Sequence, residues 1–160
     1  MADINKNLKS ICSFYASEWH LVTMLLPNLD QKINKGVKIT TILEKDLTKE
    51  METLLTKLHL EDKKEILKIK WETSNLENVK QAVLNNDCII INGTKEFIEK
   101  AREEIEKNLP EDKAIEIIDC YNIDECKYGI KEILDEHDSI LNTSGEKNKE
   151  EYITTIRVAN

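Results

Sequence analysis

Residues 10–28, Ser-Ile-Cys-Ser-Phe-Tyr-Ala-Ser-Glu-Trp-His-Leu-Val-Thr-Met-Leu-Leu-Pro-Asn, read as a buried strand that turns sharply into a helix. Residues 11–16 are short, apolar and aromatic, as a central strand requires. Ser17 is placed to cap a helix whose apolar positions Val22, Leu25, Leu26, Leu29 and Ile33 recur at helical spacing. Gly36 stands where a left-handed residue ends such a helix, and Pro27 inside it leaves the Thr23 carbonyl without its usual donor. In α/β proteins a strand-to-helix junction of this kind is where ligands are met. This one carries Tyr15, Ser17, Glu18, Trp19 and His20.

The rest of the chain repeats the unit. Residues 37–43 and 65–73 read as further strands, 88–91 as the most apolar and therefore central one, and 114–121 as a fifth. Helical stripes follow each: Leu47, Met51, Leu54, Leu55 and Leu58; then Leu76, Val79, Val83 and Leu84; then Phe97, Ile98, Ala101, Ile105 and Leu109; then Cys126, Tyr128, Ile130, Ile133 and Leu134. Residues 142–151 read as a polar linker, and 152–158 as a last strand added at a sheet edge or lent to a partner. The expectation is one α/β domain over 1–141, with a mainly parallel sheet of five or six strands and helices on both faces, followed by the linker and edge strand of 142–160.

The 160 residues suffice for one self-standing core. With 34% charged residues and a net charge of -8, extended contact with phosphate backbones or anionic lipid is disfavoured, so neither nucleic acid nor membrane is expected as a direct partner. The first residues form no apolar leader, and no apolar run approaches the roughly 18 residues that span a bilayer, so a cytoplasmic protein is expected. Cys12, Cys88 and Cys120 lie within apolar runs, and no Cys-x-x-Cys pair occurs; reduced core thiols are the simplest reading for these and for Cys126. The absence of His-x-x-x-His or Cys-x-x-Cys spacing gives no metal centre.

The strand ends collect aromatic and weakly polar side chains, and neither G-x-x-x-x-G-K-[ST] nor G-x-G-x-x-G follows the first strand. A nucleotide at the usual position is therefore disfavoured, and no cofactor is expected. Trp19 and Trp71 are the only two tryptophans and could wall an apolar pocket. The candidate ligand site comprises Phe14, Tyr15, Trp19, His20, Trp71, Asn92, Cys120 and Tyr121, with Tyr15, His20 and Asn92 orienting the ligand. Asn92-Gly93-Thr94-Lys95 is the nearest thing to a phosphate contact, although Thr94 equally suits an ordinary helix cap.

Three pieces of the chain resemble the MEDS family, the methanogen/methylotroph sensory domain associated with the dichloromethane dehalogenase repressor. They are Ile-Cys-Ser-Phe-Tyr-Ala-Ser-Glu with the following Leu-Leu-Pro-Asn-Leu, the Lys-Gly-Val-Lys turn, and Asp-Cys-Tyr-Asn at 119–122 with the later Leu-Asp-Glu-His-Asp. The resemblance implies a RecA-like α/β core without a phosphate-binding loop, serving as a signal-input module. Asn92, where an ATPase of this kind usually has an acidic residue, fits a non-hydrolytic role. The expected function is thus non-catalytic sensing of a small apolar or weakly polar ligand, relayed to a regulatory protein such as a kinase, anti-sigma factor or repressor, with room for a homo-oligomer. The alternatives are a protein-interaction module without a small ligand, and a weak NTPase using Thr94 and Lys95.

Overall fold

The computed structural model describes residues 7–58, 63–74, 76–126 and 129–150. Six strands form one sheet: β1 (Leu8–Tyr15), β2 (Ile39–Leu43), β3 (Cys88–Asn92), β4 (Ile115–Asn122), β5 (Ser139–Asn142) and β6 (Gly145–Asn148), in the order β2-β3-β4-β1-β5-β6. Every neighbouring pair is parallel except β5 and β6, which form an antiparallel hairpin. All five residues of β3 are buried, as the unbroken apolar run requires of an inner parallel strand.

Helices cover both faces. On one face, α1 (Glu18–Asn34), α2 (Thr48–Lys57) and α3 (Lys63–Lys68) pack Leu21, Leu25, Leu29, Met51, Leu55 and Ile66 against Ile11, Tyr15, Ile90 and Ile118. On the other, α4 (Val79–Asn85), α5 (Lys95–Asn108), α6 (Ile123–Cys126) and α7 (Ile130–Asp135) pack Val83, Ile98, Ala101, Ile105 and Ile133 against Cys12, Phe14, Ile89, Ile91 and Ile117. Strand alternation sends successive side chains to opposite layers, so a single strand feeds two separate cores. Ser17 caps α1 by accepting from the His20 amide at 3.2 Å. The helix runs through exposed Pro27 and ends before Gly36, whose φ of +80° is the left-handed conformation anticipated there.

Two elements differ from the expectation. Residues 65–73 do not form a strand; α3 ends at Lys68, and the chain then passes beside β2 with bends at Ile69 and Glu72. Only Ile66 of α3 is fully buried, and Glu65 pairs with Lys68 one turn on at 2.9 Å, so helix-forming Lys, Glu and Leu residues prevail over the apolar spacing. This segment covers the free side of β2: the Thr41 hydroxyl donates to the Lys70 carbonyl, and the Ser74 amide donates to the Leu43 carbonyl at 2.9 Å. The stretch read as a linker from residue 142 is instead part of the sheet as far as Asn148, because Thr143 and Ser144 make a two-residue turn between paired Asn142 and Gly145. Tyr128 and residues 152–158 lie outside the described residues.

Candidate functional site

The connection from β1 leads through α1 to β2, at the far edge, whereas the connection from β4 leads through α6 and α7 to β5 on the opposite side of β1. Adjacent strands β1 and β4 thus send their chains in opposite directions and to opposite faces. Such a reversal opens a crevice beyond the carboxyl ends of the two strands. Tyr15 is level with Asn122 across β1 and β4, and Asn92 is level with Cys120 across β3 and β4.

Three residues meet at these strand ends. The Asn92 side-chain amide donates to the Tyr15 hydroxyl oxygen at 2.7 Å and to the Cys120 carbonyl at 3.2 Å. Tyr15 is 1% exposed and Asn92 0%. Because the phenol oxygen accepts this bond, its own hydrogen remains to be given elsewhere, while Asn92 Oδ1 has no hydrogen-bond partner. A donor and an acceptor, both buried, are therefore left open side by side at the strand ends. Burial pushes the Tyr15 phenol up to about 12, against the opposing influence of the Asn92 bond.

Among the helices that start at this end of the sheet, α1 and α5 have their first amides taken by the chain's own groups. The Ala16 amide donates to His20 Nδ1 at 2.9 Å, and Ser17 takes the His20 amide. At α5 the Thr94 hydroxyl accepts from the Phe97 amide at 3.2 Å, and Glu44 Oε1 accepts from the Thr94 amide at 2.8 Å. Glu44 thus puts a carboxylate where a phosphate would sit, while Lys95 lies 3.9 Å from Glu99. Gly93 makes the approach of Glu44 feasible, since an added Cβ would stand 2.8 Å from Glu44 Oε1 and 2.6 Å from the Phe97 ring.

The eight residues singled out in the sequence do not share one face. Tyr15, Cys120 and Trp71 belong to the core layer under α1 and α2, and Asn92 bonds to the first two. Trp71 is buried, its indole donating to the Ile66 carbonyl at 2.9 Å. Phe14 and Tyr121 lie in the opposite layer, stacked on each other with ring centres 5.9 Å apart. Alternation along the strand dictates this separation, because Phe14 and Tyr15 are consecutive residues, as are Cys120 and Tyr121. Trp19 is 43% exposed on the first turn of α1. His20 serves as a cap through a ring nitrogen that is already engaged.

All four cysteines are free and buried. Burial and the nearby Asp119 push the Cys12 thiol up to about 12 and hold Cys120 well above the ordinary thiol range. Thiols in such surroundings stay protonated and are poor nucleophiles. Among the described residues, no three His, Cys, Asp or Glu side chains are grouped as a metal ion would need. No helix among them is long and apolar enough to cross a membrane.

A second polar cluster escaped the sequence reading. Asp119, fully buried in β4, accepts through Oδ2 from Arg102 Nη1 at 2.5 Å and lies 2.7 Å from His137 Nε2. Arg102 Nη2 also donates to the Ser10 hydroxyl at 2.8 Å, and His137 Nδ1 lies 2.5 Å from the Ile133 carbonyl. The signal was a carboxylate inside the run Ile-Ile-Asp-Cys-Tyr, since a charge in a buried strand requires partners. The cluster ties β1, α5, β4 and the end of α7 together. The chain matches no protein-family model and no curated protein.

Proposed function

We propose that this domain is a non-catalytic signal-input module, which takes a small, weakly polar ligand at the carboxyl ends of β1, β3 and β4. The observation that carries the proposal is the Tyr15-Asn92-Cys120 network, with its open hydroxyl hydrogen and its unpaired Asn92 Oδ1. A buried acceptor without a donor costs about 1–3 kcal/mol, and a ligand that supplies the donor recovers that energy. The polar groups demand a ligand with one donor and one acceptor, and the surrounding layer of Leu43, Leu47 and Trp71 favours an otherwise apolar one.

What occupies the starts of α1 and α5 supports the non-catalytic reading. Ser17 and His20 take up amides at α1, and Glu44 takes up the α5 start, so the reading as a RecA-like core without phosphate chemistry fits these contacts better than an NTPase does. The three short sequence pieces that resemble the MEDS sensory domain are read the same way. Relay to a regulatory protein is assigned to the rim carrying Trp19, the large exposed aromatic beside the site; tryptophan in that setting is a common anchor of protein contacts.

A thermal-shift screen of small neutral metabolites tests the site. Ligands at a hundred times their dissociation constant should raise stability by about 2.7 kcal/mol. The shift should disappear in Tyr15→Phe and in Asn92→Ser, and nucleoside triphosphates should give none. Equal shifts in both variants and the wild type would remove the strand ends from consideration. Trp19→Ala should leave ligand shifts intact while weakening capture of a regulatory partner.

A further inference from the structure

We propose a second binding site, separate from the strand ends: the cleft between the later half of α1 and the β5-β6 hairpin receives a free apolar amino acid as its zwitterion. The cleft encloses about 380 Å³, within the range of small-molecule sites. Its lining includes buried Met24 and Leu141, which offer an apolar surface. Its charged lining is mixed, with Lys9, Lys32 and Lys35 set against Glu116 and Glu146.

The mixture is a connected array. Lys32 Nζ lies 2.6 Å from Glu116 Oε1, and Lys9 Nζ lies 3.0 Å from Glu146 Oε2, which also accepts from the Ser139 hydroxyl at 2.8 Å. Burial alone would raise the Glu146 carboxyl, yet its bonds to Lys9 and Ser139, with Lys32 nearby, hold it below the ordinary range. A simple anion would meet two carboxylates here, and a simple cation three ammonium groups. A ligand carrying both charges satisfies both sets.

Two further groups in the cleft bear on the ligand. Asn28 Oδ1 is buried without a hydrogen-bond partner, and Lys35 has no ion-pair partner among the described residues. The first accepts a hydrogen from the ligand ammonium, with Glu116 and Glu146 as counter-charge. The second takes the carboxylate, beside Lys32 one helical turn away. The apolar side chain of the amino acid rests on Met24 and Leu141.

Isothermal titration with L-leucine tests the site. Leucine should bind, whereas leucine methyl ester, which lacks the anion, and 4-methylpentanoate, which lacks the ammonium, should each bind about tenfold more weakly or worse, a difference of about 1.4 kcal/mol. Lys35→Ala and Asn28→Ala should each weaken leucine to a similar degree while circular dichroism and melting temperature stay as in the wild type. Tyr15→Phe should leave leucine binding unchanged. No heat from leucine, equal binding of 4-methylpentanoate, or full affinity in both cleft variants would overturn the proposal.

Discussion

The Tyr15 hydroxyl accepts from Asn92 and is almost wholly withdrawn from water, so ionising it means placing a phenolate in the core. Its folded pKa of about 12 lies above the ordinary 10.0. The native state therefore holds this proton more tightly than the unfolded chain does. The associated stability is complete below about pH 10 and is lost as pH rises toward 12. Cys12 and Cys88 behave alike, raised by burial from 9.0 to about 12, so the wild type should lose stability progressively across pH 9–12. Tyr15→Phe should cost about 1 kcal/mol at neutral pH through its lost hydrogen bond. It should also shallow the alkaline decline when urea midpoints are compared at pH 8 and pH 11; an unchanged slope would show that Tyr15 ionises freely.

At the level of the element, caps and close approaches decide more than hydrophobic spacing does. Ser17→Ala should cost about 1 kcal/mol and Ser17→Gly only a few tenths, since both remove the side-chain acceptor but glycine leaves the backbone open to solvent. Gly93→Ala forces a Cβ against Phe97 and the Glu44 side chain, whose Cβ stands 2.9 Å away. It should cost about 1–3 kcal/mol, read as a lower urea midpoint at unchanged slope. Ser17, Thr94 and Gly36 were legible in the sequence because each acts on its immediate neighbours. The segment around Trp71 was not, because its course depends on the Thr41 hydroxyl and the Leu43 carbonyl, a donor and an acceptor some thirty residues earlier. Strand β6 and its turn looked like a linker, and β5 was not read as a strand, since β5 gains its place only by pairing with β1, more than a hundred residues before it.

For the whole molecule, the same limit explains the divided site: sequence placed Tyr15, Trp71, Asn92 and Tyr121 near strand ends, but the faces of Tyr15, Asn92 and Tyr121 follow from the assembled sheet, and Trp71 lies outside any strand. Register also decides where Asp119 goes, and with it how the layers are joined. Its carboxylate faces Arg102 from α5 and His137 from beyond α7, and Arg102 reaches on to Ser10 of β1. Asp119→Ala would leave a guanidinium without its counter-charge in a site only 19% open to water, at a cost of about 3–5 kcal/mol. Domains of this size are stable by about 5–15 kcal/mol, so the variant should be largely unfolded at modest urea concentrations. Replacing the set together, as Arg102→Met, Asp119→Leu and His137→Phe, removes charge and counter-charge at once and should cost far less than the single change. Urea titration of both variants distinguishes a charge cluster that joins layers from one that merely fills space: if Asp119→Ala unfolds no more readily than the triple variant, the cluster is not what holds α5 and α7 to the sheet.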